Sequence, residues 1–253
     1  MSAHLDRPTA IVTGGARGIG RGCSLKLAEQ GCAVALVDVL APEMARTRAE
    51  LEALGAPCLT FEADVANFAL AGDVTQGVLA EWGRIDVLVN NAGRSMPRGI
   101  LEIDEAEWDA TIDVNLKSCF NYARAVAPAM LAAERGRIVS MSSLNAHSGG
   151  VTAAVSRFAY AAAKAGILGL TRALAKELGP HVLVNAVCPG LIKTEITKNA
   201  VIAEREAELI EGIAAHRVGS PRDVAEVVAF LALSDPCFVT GQAITVDGFQ
   251  WNM

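Results

Sequence analysis

The sequence predicts an α/β fold: a single domain in which helices cover both faces of a parallel β-sheet. Two patterns lead there. Short, nearly continuous apolar runs, such as residues 33–38 and 85–89, alternate with longer amphipathic stretches. A strand without a polar face is buried on both sides, which is the mark of a parallel sheet. The second pattern is a glycine-rich turn between the first apolar run and the first helix, where such sheets receive ligands. With 253 residues, 52% hydrophobic and without repeats, the chain can fill one core.

The elements follow in order. Residues 9–13 are a short apolar run ending in glycines, the first strand. A helix is predicted over 17–30, stopped by Gly31. The second strand is 33–38. Pro42 suits the first turn of a helix that reaches 54, with Gly55 behind it. The third strand and helix are 58–61 and 68–82, and the fourth strand is 85–89. Residues 106–133 read as one long helix. A fifth strand, 137–141, leads into a polar, glycine-bearing loop, then a helix over 158–178 and a sixth strand over 182–187. Residues 195–215 are charged and helical with a looser apolar pattern, and we read them as a substrate lid. Ser220-Pro221-Arg222-Asp223 starts a helix: serine as cap, proline in the first turn, an acid three residues on. That helix runs to 233, and 243–246 is a seventh strand.

Several function classes fall away on composition. The net charge is −6 and the sequence pI about 5.3, with acids and bases interspersed. No basic stripe is available for nucleic acid. The apolar runs are too short to span a bilayer, and residues 1–8 lack the apolar centre of a signal peptide. Six scattered cysteines without a C-x-x-C pattern read as reduced thiols of a cytoplasmic protein. The histidines show no metal-ligand spacing, so no metal is expected.

Chemistry is therefore sought beyond the carboxyl ends of the strands. After the first comes Thr13-Gly14-Gly15-Ala16-Arg17-Gly18-Ile19-Gly20. Glycines let the backbone approach a pyrophosphate, and the helix N-terminus behind them favours anions. The spacing is G-x-x-x-G-x-G rather than G-x-G-x-x-G, and alone it also fits a plain tight turn. Asp38 ends the second strand. An acid there accepts the adenosine ribose hydroxyls of NAD and repels the 2′-phosphate of NADP. Arg17 pulls the other way, but Asp38 is followed by Val39 rather than a base, which favours NAD. After the fourth strand, Asn90-Asn91-Ala92-Gly93 reads by itself as a structural turn.

Tyr160 and Lys164 stand one helical turn apart, on one face. A free tyrosine titrates near pH 10 and handles protons poorly at neutrality. An ammonium one turn away favours the phenolate, so such a tyrosine can exchange a proton with a substrate oxygen.

Together these segments resemble the short-chain dehydrogenase/reductase family. The matching stretches are 13–20, Asp64-Val65, 90–93, Val114-Asn115-Leu116, Ser142-Ser143, 160–164, Pro189-Gly190, 219–224, 239–242 and 246–248, in order over nearly the whole chain. The resemblance implies a Rossmann-type doubly wound sheet of seven strands in the order 3-2-1-4-5-6-7. It implies a catalytic set of Asn115, Ser143, Tyr160 and Lys164. Tyr160 is then the general acid/base and Ser143 a donor to the substrate oxygen, with Ser142 the competing choice. Lys164 supports the phenolate and binds the nicotinamide ribose, and Asn115 holds a water that relays protons. The cofactor would lie on Gly14, Arg17, Gly18, Ile19, Gly20 and Asp38, with Asp64 and Val65 at the adenine. Asn91, Ala92 and Gly93 would meet its ribose region. Pro189, Gly190, Ile192, Thr194 and Val187 would line the nicotinamide. The resemblance also implies a homotetramer joined through helices 106–133 and 158–178 and the last strand. Two departures stand out: residues 148–157 lengthen the segment between Ser143 and Tyr160, and 178–184 is shorter than usual.

The implied activity is NAD-dependent exchange of a secondary alcohol with a ketone, with Tyr160 as general acid/base. Ser95, Asn145, His147, Arg157 and Leu191 are candidate pocket residues. Asn145 and His147 favour a small polar substrate: a polyol, sugar or hydroxy acid. The alternative is a 3-oxoacyl-thioester reductase of the same family. A dinucleotide-binding sensor without turnover is the reading from another class, and it sits poorly with the presence of both Tyr160 and Lys164.

Overall fold

A computed structural model describes residues 5–150, 156–194 and 206–250. Among these, seven strands form one sheet: β1 (Thr9–Thr13), β2 (Ala33–Asp38), β3 (Cys58–Glu62), β4 (Val87–Asn90), β5 (Gly136–Met141), β6 (Val182–Pro189) and β7 (Ala243–Val246). All neighbours are parallel and the order is β3-β2-β1-β4-β5-β6-β7, as expected. The helices are α1 (Gly18–Glu29), α2 (Ala41–Ala53), α3 (Phe68–Trp82), α4 (Glu105–Ile112), α5 (Ser118–Ala132), α6 (Asn145–Ser148), α7 (Phe158–Leu178), α8 (Glu206–Glu211) and α9 (Pro221–Leu233).

The unbroken apolarity of the strands has a direct cause. Ala10 and Val12 of β1 pack with Leu36, with Leu27 of α1 and with Val228 of α9. Ile11 points the other way, with Val37, Val74 of α3 and Val126 of α5. Successive side chains alternate between two faces, and both faces are core. Register brings the strand ends level: Thr13 lies opposite Asn90, Asn90 opposite Ser140, and Met141 opposite Val187. The loops after β1, β4, β5 and β6 therefore open onto one edge. No helix of the described residues is long and apolar enough to cross a membrane.

The structure corrects the helix expected over 106–133. It is broken into α4 and α5 by a π-helical turn, Asp113–Lys117. A π turn holds one more residue than an α turn, and here it directs Asn115 fully inward. The loop after β5 contains α6, which its polar sequence hid. Of the expected lid, residues 195–205 lie outside the described residues, and helix is found only at α8.

The start of α9 is as expected. The Ser220 hydroxyl accepts the Asp223 N–H, and the Asp223 carboxylate accepts the Ser220 N–H at 2.7 Å. Arg217 adds two bonds at 2.8 and 2.6 Å. Arg217 foremost, then the Ser220 donors, hold the Asp223 carboxyl well below the usual carboxylate range. A depressed folded value means stability that is present above the unfolded value, about pH 4, and lost as pH falls. Asp223→Asn is expected to cost about 1 kcal/mol at neutral pH, since the group is near the surface. In urea melts that deficit should shrink at about pH 3; an equal deficit at both pH values would contradict the assignment.

Candidate active site

The loop after β1 is built to keep its backbone bare. Gly14 has φ +63°, a left-handed conformation that disfavours side chains, and its N–H donates to Val37 O at 2.8 Å. A side-chain carbon on Gly20 would collide with Gly14 O and the Asn91 amide. The Asn91 Nδ2 donates to Thr13 O and Gly14 O, both at 3.0 Å, stapling this loop to the turn after β4. Thr13 Oγ1 completes the staple by accepting the Asn91 and Ala92 N–H groups. Asn91 is thus structural, as its turn suggested, and it also lines the cleft. The N-cap of α1 makes no side-chain bond and its first turn holds no acid, so the positive end of the helix favours an anion there.

Asp38 is half-buried at the end of β2. Its Oδ2 accepts the Ala16 N–H at 3.1 Å and its Oδ1 accepts the Leu40 N–H at 3.2 Å. The carboxylate is fixed before any ligand arrives, facing the cleft with exposed Arg17 and Val39. Ile19, Asp64 and Val65 line the same side. Gly18 and Gly20 are buried behind it and act through packing.

The catalytic end is held by two adjacent residues of β5 and its exit. Lys164 is 3% exposed, and its Nζ donates to Met141 O at 2.8 Å. The Ser142 hydroxyl donates to Lys164 O at 2.7 Å, so Met141 and Ser142 grip the lysine at both ends. Lys164 Nζ stands 5.6 Å from the centre of the Tyr160 ring. Ser142 is buried, whereas Ser143 is half-exposed, and among the described residues its Oγ accepts only the Asn145 N–H, at 3.2 Å. The hydroxyl proton of Ser143 is available to the cleft and that of Ser142 is committed. Ser143→Ala is therefore expected to lower kcat by about a hundredfold with an unchanged melting temperature. Ser142→Ala should instead lower stability by about 1 kcal/mol. Stopped activity in Ser142→Ala alone would reverse the choice of serine.

Asn115 does not face open space. Its Oδ1 accepts the Arg94 N–H at 3.2 Å, and its Nδ2 donates to Arg94 O and Thr111 O, both at 3.0 Å. Gly93 threads between it and the lysine: a side-chain carbon there would sit 2.7 Å from Asn115 Oδ1 and 3.4 Å from Lys164 Nζ. Cys119 and Cys188 lie near Lys164, and burial pushes both thiols up, so they remain neutral. Among the described residues no cluster suits a metal ion.

After β6, Pro189 and Gly190 turn under β7: Gly190 N–H donates to Val246 O, and a side chain on Gly190 would strike Asp247. Pro189, Gly190, Leu191, Ile192 and Thr194 line the cleft, as do Ala92, Gly93 and Ser95. Val187 does not; it is fully buried within the sheet, where its side chain joins the core beneath α1 and α9. Asn145, His147 and Arg157 also fall outside the lining. The first two sit on α6, which carries them past Ser143, and Arg157 precedes α7 with its N–H bound to Met96 O. The sequence reading missed Arg94, Val114, Met141 and Ser156, which complete a cavity of about 770 Å³. Arg94 follows the Asn90–Gly93 turn directly, Val114 stands in the stretch with Asn115, and Ser156 lies in the lengthened segment 148–157; Met141 is the end of the fifth strand.

Comparison with known proteins agrees with this geometry. A family model described as "Enoyl-(Acyl carrier protein) reductase" matches residues 14–248. The 3-oxoacyl-[acyl-carrier-protein] reductase FabG of Thermotoga maritima is 37% identical over 246 residues, 97% of this chain and 98% of that protein. The (2S)-[(R)-hydroxy(phenyl)methyl]succinyl-CoA dehydrogenase subunit BbsD of Thauera aromatica is 39% identical over 246 residues, 96% of each. The crystal structure of levodione reductase superposes with a TM-score of 0.89 at 30% identity, covering 98% of both chains.

Proposed function

This chain belongs to the short-chain dehydrogenase/reductase family of oxidoreductases, and on that premise we propose that it interconverts 3-oxoacyl and 3-hydroxyacyl groups carried as thioesters, with NAD as cofactor. The observation that carries the chemistry is the meeting of Ser143, Tyr160 and Lys164 on one cleft, with Asn115 directly behind. The substrate class follows the names of FabG and BbsD, both acting on acyl groups held by a carrier. The small polar substrate expected from Asn145 and His147 loses its basis, since neither lines the cleft.

The residues suit a dinucleotide. Gly14, the N-terminus of α1 and Arg17 would take its pyrophosphate, and Asp38 its adenosine ribose. Asp64 and Val65 would flank the adenine, and Gly190, Ile192 and Thr194 its nicotinamide end. The dinucleotide supplies or accepts the hydride when bound. Tyr160 gives its phenolic proton to the ketone oxygen as the carbonyl is reduced and takes it back in oxidation. Ser143 donates to the same oxygen and stabilises its developing charge. Lys164, fixed by Met141 and Ser142, stands beside Tyr160 and would hold the ribose of the dinucleotide next to it. Asn115 holds the backbone at Arg94 and so the wall opposite Lys164.

The test is initial-rate kinetics with NADH and a panel of 3-oxoacyl thioesters, polyols and sugars. The thioesters should give the highest kcat/KM; better use of a polyol or sugar would return the polar-substrate reading. We also read the protein as cytoplasmic and tetrameric. Ala162, Ala165, Gly169 and Ala173 make an exposed face of small side chains on α7. Phe68 and Phe120 stack at 5.8 Å in partly exposed positions on α3 and α5. These faces suit two-fold contacts. Light scattering at micromolar concentration should give about four times the chain mass, and a monomer would refute the assembly.

A further inference from the structure

The cleft carries an asymmetry of charge that the hydride-transfer chemistry does not use. Among the described residues its lining cations are Arg17, Arg94 and Lys164, and its lining carboxylates are Asp38 and Asp64. Both acids follow β2 and β3, on the side of the sheet that also holds Arg17. Lys164 is buried and bound to Met141 O. Among the described residues, that leaves Arg94 as the exposed cation lining the Ser143–Lys164 end, with no carboxylate lining it there. Arg98, Arg217 and Arg222 are exposed too, but each is neutralised, by Glu107, Asp223 and Glu29. Among the described residues no carboxylate pairs with Arg94.

Its position is fixed. Both backbone polar groups of Arg94 are bound by the buried Asn115 side chain, at 3.2 and 3.0 Å. The preceding Gly93 lies against Lys164 Nζ. The guanidinium therefore springs from a rigid point beside the reacting centre. A fixed cation in a concave site without a counter-ion attracts an anionic ligand, and a guanidinium matches a carboxylate with two parallel N–H···O bonds. Resting on the thioester reading above, we propose that Arg94 selects acyl groups that carry a free carboxylate close to the reacting ketone. The phosphates of a carrier are oxyanions too, but they hang beyond a long linker from the thioester, whereas Arg94 stands at the catalytic wall.

The experiment compares 3-oxohexanoyl and 3-oxoadipoyl groups on N-acetylcysteamine, a neutral carrier, and 3-oxohexanoyl on coenzyme A, using wild type, Arg94→Met and Arg94→Lys. Wild type should prefer the carboxylated acyl group in kcat/KM by about tenfold or more. Arg94→Met should bring that ratio to about one, and Arg94→Lys should keep part of it, because an ammonium retains charge without the paired geometry. An unchanged ratio in Arg94→Met, or wild-type preference for 3-oxohexanoyl, overturns the proposal. Selective loss on the coenzyme A ester assigns Arg94 to carrier phosphates and overturns it as well. If no thioester is turned over, the thioester reading fails by itself. Calorimetry with NADH then compares free 3-oxoadipate with its dimethyl ester. Preferential binding of the acid, lost in Arg94→Met, upholds the carboxylate site, and equal binding rejects it.

Discussion

Tyr160→Phe is expected to lower kcat by about a thousandfold, in the range that general acid–base groups supply, while NAD affinity stays within about twofold. The substitution removes one oxygen from a half-buried ring and leaves the packing of α7 intact. Lys164 keeps its bond to Met141 O, and Ser143 keeps the bond its Oγ accepts from Asn145 N–H. What disappears is the only phenolic proton at the cleft, since the other tyrosine, Tyr122, is fully buried and burial pushes it up. Lys164→Ala should fail differently. It deletes a buried side chain that spans from α7 to Met141 O, so activity, NAD affinity and melting temperature should all fall. Steady-state kinetics, fluorescence titration with NADH and thermal melts separate the two outcomes. Near-normal turnover by Tyr160→Phe would remove the tyrosine from the mechanism.

Cofactor choice should turn on Asp38. Wild type is expected to prefer NAD over NADP by about a hundredfold in kcat/KM. Carboxylate oxygens accept ribose hydroxyls strongly, while a 2′-phosphate brings like charges together at a cost of several kcal/mol. Arg17 opposes this, but an exposed, flexible cation returns only about 1 kcal/mol or less. The structure alters how the test should be run. Asp38 also accepts the Ala16 and Leu40 N–H groups, so Asp38→Ala would loosen the glycine loop as well as remove charge. Asp38→Asn removes the charge and keeps an acceptor. Combined with Val39→Arg at an exposed position, it should narrow or reverse the preference. Equal or better use of NADP by wild type would show that Arg17 dominates.

The sheet was legible because its signal is local. A strand buried on both faces is apolar at each buried position, as in residues 33–37 of β2, and the glycines of the first loop follow from close backbone approach. The start of α9 was legible for the same reason, since its cap involves neighbours in sequence. The break in the helix over 106–133 was not. A π turn shifts one residue without changing the apolar pattern, and it accompanies bonds from Asn115 to Arg94, which lies far off in sequence.

By itself the sequence determined the order of elements, the glycine loop, Asp38 at a strand end and the Tyr160–Lys164 pair, each being a matter of local spacing. Tertiary structure alone decided which hydroxyl is free. Ser142 and Ser143 are equivalent as letters, yet packing of α7 against β5 commits the first to Lys164 O and leaves the second to the cleft. It also decided that Asn145 and His147 leave the pocket and Arg94 enters it, because α6 carries the first two past the cleft while Asn115 fixes the third. Such choices depend on contacts between residues far apart in the chain, and spacing along the sequence does not encode them.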